Sequence, residues 1–211
     1  MRYCWAIVLI VLSSSLYADE LKVRQFSAND LTGWEEKTFK GKTIYSLVDN
    51  DGRLALQAHS VNAASGLFRR VQVEPAKLPV IRWSWKINHT VEREDATKKY
   101  GDDFAARVYV VFPRFFFWQM RAINYVWSAR LPVGTVLPSP FTDNSVYCVV
   151  ESGNGKAGTW VSETRNYLED YRRLFHAEPS RVGAVAVMTD TDNTHSDVTA
   201  WYGDISLHDR Q

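Results

Sequence analysis

Two acidic segments of the chain carry residue types that bind cations or sugar hydroxyl groups. They are Gly101-Asp102-Asp103, before a predicted strand at 104–112, and Asp190-Thr191-Asp192-Asn193-Thr194, after a predicted strand at 182–189. Carboxylate and amide oxygens suit Ca²⁺ or sugar hydroxyls. The second segment lacks the glycine and the glutamate of a calcium-binding loop, so both a Ca²⁺ site and a network of Asx turns that braces the loop stay open.

An aromatic sheet face is predicted from two neighbouring strands, 104–112 and 122–130. If they form a hairpin centred near residue 117, Arg107 lies opposite Trp127 and Tyr109 lies opposite Tyr125. These four side chains then share one face, which we interpret as facing a ligand, while the other face is largely aliphatic. The prediction depends on the register of the pair. In the alternative, a helix covers this face and makes it a second core layer.

One helix is expected, over residues 163–175, where apolar and aromatic side chains recur at helical spacing. Ser162 can cap its N-terminus. We interpret it as an amphipathic helix lying on a sheet. Arg165 and Asn166, with Asp170 one turn further on, then form either a polar clamp above the sheet or a surface pair.

Signatures of known catalytic chemistry are absent from the sequence. The five histidines show no metal-binding spacing, and neither a nucleophile elbow nor a phosphate-binding loop occurs. Cys148 lies in an alternating apolar segment, which indicates a buried, unreactive thiol. A binding role therefore fits the residues better than catalysis, and no cofactor is expected apart from the possible Ca²⁺.

Composition excludes a disordered chain and a basic nucleic-acid-binding domain, because 45% of the 211 residues are hydrophobic and the net charge is +1. Residues 1–18 are typical of a secretory signal peptide, with Arg2 before an apolar stretch and Ala18 at the cleavage position. Removing them leaves a neutral chain, since Arg2 is the only charged residue lost. We expect one domain at 19–211, periplasmic or secreted, with no transmembrane segment and no nucleic-acid partner.

Period-two alternation dominates the rest of the chain and predicts about eleven short strands. Asn50-Asp51-Gly52, between two such runs, is a hairpin signal. The fold class is therefore mainly β, an antiparallel β-sandwich of jelly-roll type with one amphipathic helix. Long connections at 88–103, 131–144 and 190–197 are expected to hold binding groups.

Four consecutive aromatic residues form the expected tip of the 104–130 hairpin: Phe115, Phe116, Phe117 and Trp118. Exposing them to water is unfavourable. We expect them to pack beneath another loop. In the alternative, they dock on a partner or a membrane surface.

Several motifs together resemble the bacterial domain-of-unknown-function family 3047, over almost all of the chain after residue 18. They are Trp83-Ser84-Trp85, the segment 101–112, Tyr125-Val126-Trp127-Ser128, Arg165-Asn166 with Asp170-Tyr171, the segment 188–194 and Tyr202-Gly203-Asp204-Ile205. This resemblance names a kinship and supplies no mechanism. The strand 201–207 is also similar to the last strand of jelly-roll carbohydrate-binding modules, a likeness at the level of fold.

The leading hypothesis is an exported domain that binds a glycan or a similar polar ligand on the aromatic face. The predicted ligand-binding residues are Asp102, Asp103, Arg107, Tyr109, Tyr125, Trp127, Arg165, Asn166, Asp190, Asp192 and Asn193. A second hypothesis is a polysaccharide hydrolase or lyase on the same scaffold, with Asp103 or Asp190 as general base and Arg107 stabilising negative charge. A third is a non-catalytic envelope interaction protein that docks through residues 115–118.

Overall fold

Two seven-stranded sheets packed face to face, with one α-helix, make up residues 19–210, which the computed structural model describes. The predicted signal peptide, 1–18, lies outside the described residues. The elements are β1 (Glu20–Arg24), β2 (Trp34–Lys40), β3 (Ile44–Asn50), β4 (Arg53–Val61), β5 (Ala64–Val73), β6 (Val80–Ile87), β7 (Ala106–Phe112), β8 (Arg121–Ser128), β9 (Val136–Ser139), β10 (Thr142–Ser152), β11 (Val161–Asn166), α1 (Tyr167–Phe175), β12 (Val182–Asp190), β13 (Asp197–Tyr202) and β14 (Ile205–His208). The predicted mainly-β sandwich with one helix is confirmed.

Sheet 1 contains β1, β3, β4, β6, β11, β13 and β14, and every pair in it is antiparallel. Strand β6 has three partners. Strand β11 pairs with residues 80–85 of β6, whereas β14 and β13 pair with residues 80–82 and 85–87. Because one edge of a strand holds one partner at each position, β13 and β14 follow each other along one edge of β6 and β11 occupies the other.

Sheet 2 has the order β2-β5-β12-β7-β8-β10-β9, with β8 and β10 parallel and the other pairs antiparallel. Alternation in the sequence predicts neither of its two edge strands, β2 and β9. Strand β2 is polar and exposed along most of its length, so its sequence has no apolar face to reveal it. Strand β9 has only four residues, within the predicted 131–144 loop.

Aromatic side chains fill the centre of the space between the sheets. Trp83 stacks on Tyr125 with ring centroids 5.3 Å apart, and Trp85 lies 5.8 Å from Trp127. Each contact joins β6 of sheet 1 to β8 of sheet 2. All four rings are buried, so they hold the two sheets together through dispersion and apolar burial.

The predicted β3–β4 hairpin is confirmed, and the backbone of its turn explains why Asp51-Gly52 is a hairpin signal. Asp51 and Gly52 have φ angles of 58° and 73°, as a two-residue type I′ turn requires at both central positions. The side chain of Asp49 accepts a hydrogen bond from the Gly52 amide at 3.1 Å.

The predicted register of the β7–β8 hairpin is wrong by one residue. Trp127 lies opposite Ala106 and Tyr125 opposite Val108, both on the core side, whereas Tyr109 lies opposite Asn124 on the outer side. The connection after Phe112 includes a 3₁₀ turn, Phe117–Gln119, which moves the hairpin centre by half a residue. Because side chains alternate along a strand, this shift moves the rings of Tyr125 and Trp127 into the core.

The predicted helix begins later than expected. Residues 161–166 form β11, and the N-cap is Asn166, whose side chain accepts a hydrogen bond from the Glu169 amide at 3.1 Å, instead of Ser162. Pairing with β6 outweighs the local helical spacing. The remaining helix, α1, has nine residues, and no helix within 19–210 is long and apolar enough to cross a bilayer.

At the tip of the β7–β8 hairpin, residues 114–120, the rings of Phe115, Phe116 and Trp118 are exposed, so the expected packing of these three rings beneath another loop is wrong. Phe115 is 92% exposed, Trp118 60%, Met120 45% and Phe116 44%. The rings of Phe116 and Trp118 stack on each other at 4.6 Å. We call residues 114–120 the aromatic tip.

Replacing Trp127 by alanine should lower the free energy of unfolding by about 3–5 kcal/mol, because it leaves a large cavity between the sheets. The matched control is Trp118→Ala, at an exposed position, with an expected change within about 0.5 kcal/mol. Denaturant unfolding followed by circular dichroism measures both. Equal small losses would contradict the core position of Trp127 and favour the register predicted from the sequence.

Candidate functional site

The outer face of sheet 2 is covered along half its width and open along the other half. Segment 88–105 lies across β8 and β10, where Ala96 and Phe104 pack with Val126, Tyr147 and Val149 in a small second core. The remaining half, formed by β2, β5, β12 and β7, is open as a groove of about 560 Å³. We call this the sheet 2 groove.

Three rows of side chains cross the sheet 2 groove. In the middle row, Ala186 of β12 lies between Phe68 of β5 and Tyr109 of β7. Neighbouring strands are about 4.8 Å apart, so the two aromatic residues are attached about 10 Å apart with only a methyl group between them. The adjacent rows add Ala184 and Gly66 to the floor. Small residues on the central strands therefore make the face concave.

The groove has an apolar floor and a mostly basic rim. Lys37, Arg70 and Arg181 line it, and Arg70 pairs with Glu35 of β2, with Nε 3.0 Å from Oε1. The Arg70 guanidinium also lies 5.6 Å from the centre of the Phe68 ring. Cationic groups that can donate hydrogen bonds thus surround a ring-lined floor.

A buried ion pair joins the groove to the covered half of the sheet. Arg107 follows Met188 in the third row, and its guanidinium donates two hydrogen bonds to the Asp190 carboxylate, one of them from Nε to Oδ1 at 2.8 Å. Its Nη2 also donates to the Asp102 carbonyl at 2.6 Å. Arg107 is 3% exposed and Asp190 2%. A buried guanidinium needs this full set of acceptors, so the network holds segment 88–105 on the sheet.

Aromatic rings complete the surroundings of Arg107. Its guanidinium lies 4.5 Å from the centre of the Phe104 ring and 5.6 Å from that of Tyr147, and the Tyr147 hydroxyl donates to Asp102 Oδ2 at 2.7 Å. Burial raises the pKa of Asp190, and the Arg107 guanidinium opposes this increase. The ion pair is therefore closed off from solvent beside the groove.

Close packing fixes the backbone of segment 88–105 next to this network. The Asp95 amide donates to the Gly101 carbonyl at 2.8 Å, and a Cβ at Gly101 would lie 2.7 Å from the Asp95 nitrogen. Only glycine fits there. Nearby, Glu94 accepts hydrogen bonds from the Ser128 hydroxyl and, at 2.6 Å, from the Ala129 amide. Burial raises the pKa of Glu94 to about 7.

The two acidic segments meet at one end of sheet 2. The Asp103 carboxylate accepts hydrogen bonds from the amide, at 2.6 Å, and the hydroxyl of Thr194, and from the amide and the side chain of Asn193. Asp103, Asp190 and Asp192 each offer a carboxylate oxygen within 4.8 Å of the others. Because Asp103 and Asp190 already use their oxygens for these hydrogen bonds, the arrangement fits a brace between the loops better than a Ca²⁺ site.

The predicted site residues fall into three places. Asp102, Asp103, Arg107, Asp190, Asp192 and Asn193 gather at the loop cluster, and Tyr109 lines the groove next to it. The rings of Tyr125 and Trp127 belong to the core instead of a ligand-facing surface, which corrects the predicted aromatic platform. Arg165 lies in a separate cleft beside α1, with its guanidinium 5.8 Å from the centre of the Tyr125 ring, and Asn166 caps α1.

Arg165 belongs to a second cleft, of about 740 Å³, between β11 and α1 on one side and β9 and β10 on the other. Asp170 accepts hydrogen bonds there from Arg165, Arg173 and the Tyr125 hydroxyl. Burial raises the pKa of Asp170, but the hydrogen bonds from the two arginines outweigh it and hold the pKa below its ordinary value. The predicted pairing of Arg165 with Asp170 is thus present, away from the other site residues.

Cys148 and Glu163 also line this second cleft. Cys148 is buried, as predicted, and burial raises the pKa of its thiol to about 12. Burial and the neighbouring Glu151 raise the pKa of Glu163 to about 7. A thiol with so high a pKa is not a nucleophile at neutral pH.

Most of the groove residues are missing from the sequence predictions, although a signal for them exists. Gly66, Phe68 and Arg70 alternate along β5, and Ala184, Ala186 and Met188 alternate along β12. Period two places each set on one face. What the sequence does not show is that β5 and β12 are neighbours and that their outer face is uncovered.

The described residues thus form a β-sandwich with an open, ring-lined groove on one sheet face. The chain belongs to the family described as protein of unknown function, DUF3047, whose model matches residues 32–206. This confirms the resemblance inferred from the sequence motifs. Among curated proteins, none matches the sequence.

Several solved structures are similar to the chain at low sequence identity. The family 30 carbohydrate-binding module of the cellulosomal cellulase CEL9D-CEL44B of Clostridium thermocellum has 8% identity and a TM-score of 0.49, over 89% of this chain and 96% of that chain. The Emp47p carbohydrate recognition domain has 9% identity and a TM-score of 0.49, over 94% of this chain and 100% of that chain. CBM27-1 of Caldicellulosiruptor saccharolyticus, in complex with mannohexaose, has 10% identity and a TM-score of 0.46, over 92% of this chain and 98% of that chain.

Replacing Arg107 by methionine should lower the free energy of unfolding by about 3–5 kcal/mol, because Asp190 is left buried and uncompensated. The double variant Arg107→Met/Asp190→Asn removes both charges. Its loss in free energy of unfolding should be smaller than the sum of the losses of the two single variants. Denaturant unfolding of all four proteins gives the coupling free energy. Strictly additive losses would contradict the ion pair.

The pH dependence of stability should change when Glu94 is replaced by glutamine. The ordinary pKa is 4.5 and the folded value about 7, so between these pH values the folded chain binds a proton that the unfolded chain releases. The charged carboxylate therefore destabilises the fold progressively as the pH rises through this range. Free energies of unfolding are measured at about pH 5 and about pH 8. The stability of the Glu94→Gln variant relative to the original protein should be greater at the higher pH.

The matched control for this experiment is Glu92→Gln, an exposed residue of the same segment. The difference between this variant and the original protein should stay the same at both pH values. A Glu94→Gln variant that behaved like the control would show that Glu94 is not a buried, proton-binding group.

Proposed function

We propose that the protein binds a glycan chain, or a similar polar ligand with flat apolar faces, in the sheet 2 groove. One observation carries this proposal. Phe68 and Tyr109 stand on either side of Ala186 on a sheet face that no other segment of residues 19–210 covers. The predicted aromatic sheet face is retained at Tyr109, and Phe68 takes the place of Tyr125 and Trp127 in it.

The floor of the groove suits one face of a sugar ring. The C–H groups of a sugar pack against aromatic faces, and the gap of about 10 Å between the attachment points of Phe68 and Tyr109 leaves room for a flat ring above Ala186. The exposed ring of Phe39 lies further along, at the β2 edge. A chain of several sugar units can therefore contact more than one ring.

The rim supplies the polar half of the recognition. Lys37, Arg70, Gln72 and Arg181 line the groove with side chains that donate hydrogen bonds. Sugar hydroxyl oxygens accept such bonds, and the apolar floor leaves them directed toward the rim. This division, with rings below and donors at the side, is typical of sites that combine apolar contact with a few oriented polar groups.

The buried network beside the groove acts as its support. The Tyr109 hydroxyl lies 3.4 Å from the sulfur of Met188, and Met188 lies opposite Arg107 in the register. Asp102, Asp103, Arg107, Asp190, Asp192 and Asn193 thus hold the wall of the site. We propose this positioning role for them in place of direct ligand contact. Fixed side chains lose less entropy when a ligand binds.

The hydrolase or lyase alternative has less support. It needs two carboxyl groups that face one cleft. Asp103 and Asp190 lie at the same end of the sandwich, but both are buried and hydrogen-bonded inside the loop cluster. A substrate would have to open this cluster to reach either carboxylate.

Export belongs to the same proposal. It rests on the sequence of residues 1–18, with Arg2 ahead of an apolar stretch and small residues before Ala18. A periplasmic or secreted location would bring the groove into contact with envelope or external glycans.

Filling the groove should abolish binding. In Ala186→Trp, a large ring occupies the space between Phe68 and Tyr109 without changing a core contact, because Ala186 lies on the outer face. Tyr109→Ala removes one ring and should weaken binding roughly two- to tenfold. A glycan array identifies a ligand, and calorimetric titration with that ligand measures affinity for each variant.

The control for these variants is Ile44→Trp, at a 61% exposed position of sheet 1, which should bind as the original protein does. Circular dichroism shows that each variant is folded. The proposal fails if the original protein binds no envelope or plant glycan, or if binding survives in Ala186→Trp.

A further inference from the structure

The aromatic tip has three exposed rings that neither the fold nor the groove requires. Phe115 is almost fully exposed, and Phe116 and Trp118 add to the same short segment. The backbone of the tip is nevertheless ordered by local contacts, since the Asn144 side chain donates to the Trp118 carbonyl at 3.1 Å. Large apolar groups clustered in one ordered, exposed segment mark a surface for contact.

Basic residues outnumber acidic ones around the tip. Arg114 and Arg121 lie at its two ends, and Arg181 lines the groove together with Pro113, where the tip begins. One exposed carboxylate, that of Asp143, precedes Asn144, whose side chain contacts the Trp118 carbonyl. A cluster of exposed rings among arginines complements a surface that is apolar inside and negatively charged outside.

An anionic lipid bilayer has this combination. Its interfacial layer accommodates tryptophan and phenylalanine rings, and its headgroups attract arginine. We propose that the aromatic tip docks the protein on the surface of an anionic lipid bilayer, with the rings of Phe115, Phe116 and Trp118 in the interfacial layer and Arg114 at the headgroups.

Docking by the tip would also set the position of the groove relative to the membrane. Pro113, just before the tip, and Met120, its last residue, both line the sheet 2 groove. The groove therefore opens toward the same side as the tip. A docked protein presents the groove to molecules at the membrane surface, while the rest of the sandwich stays in water.

Vesicle flotation tests the docking. The protein is used from residue 19, because residues 19–210 contain both complete sheets and because the apolar stretch before them would bind lipid by itself. The vesicles are phosphatidylcholine mixed with phosphatidylglycerol, and phosphatidylcholine alone. We expect the protein to float with the mixed vesicles, and less so with phosphatidylcholine alone or at raised ionic strength.

The test variant is Phe115→Ser/Trp118→Ser, which should reduce the partition coefficient at least about tenfold by removing two rings from the interfacial layer. Both positions are exposed, so the fold is retained, as an unchanged unfolding midpoint would show. The matched control is Ile44→Ser, an equally exposed apolar residue of sheet 1, which should float as the original protein does.

Ala186→Trp separates this docking from binding in the groove. The vesicles carry no glycan, so Ala186→Trp should float as the original protein does, and a loss would mean that the groove takes up lipid and that the tip proposal is wrong. The proposal is also overturned if the original protein does not float, if the double variant floats equally well, or if phosphatidylglycerol has no effect. The last three outcomes leave the glycan titrations unaffected, whereas a loss of flotation in Ala186→Trp would also assign a lipid ligand to the groove.

Discussion

The buried guanidinium of Arg107 is the interaction on which the arrangement of the functional face depends. It is held by the carboxylate of Asp190, at the end of β12, and by the carbonyl of Asp102, at the end of segment 88–105. Because an unpaired charge at this depth is very unfavourable, both loops must stay in place. This ion pair thereby sets the border between the covered and the open half of sheet 2.

The open half owes its shape to what lies on the central strands. Gly66, Ala184 and Ala186 give β5 and β12 a low floor, and the larger side chains of Phe68 and Tyr109 stand on either side. The aromatic tip continues the end of this surface into solvent. Groove and tip are thus neighbouring parts of one face, and the opposite side of sheet 2 belongs to the core.

The sequence predicts the architecture because the evidence for it is local. Alternation along the strands and the Asn50-Asp51-Gly52 turn need only neighbouring residues. The meeting of the two acidic segments follows from the antiparallel pairing of β7 with β12, which brings the start of one strand beside the end of the other. The register of β7 and β8 is a different matter. It depends on how the eight residues after Phe112 are folded, and a shift of one residue places Tyr125 and Tyr109 on opposite faces of the sheet. Burial of aromatic residues in the core cannot be distinguished from a ligand platform by alternation alone.

The helix boundary and the groove depend on strand neighbours as well. Residues 163–166 have helical spacing, but pairing with β6 makes them a strand. The groove exists because β5 lies beside β12, more than a hundred residues later in the chain, and because segment 88–105 stops short of both. These are properties of the assembled sheet, and no window of sequence contains them.

Strand β14 pairs with β6 and also with β1, where Glu20 lies opposite His208. The two ends of the described chain are therefore joined by backbone hydrogen bonds in sheet 1. Sheet 1 therefore closes only when residues 205–208 are available to pair with both β1 and β6. The same pairing places residues 20 and 208 at one side of the molecule, so segments fused to the two ends would extend from the same side.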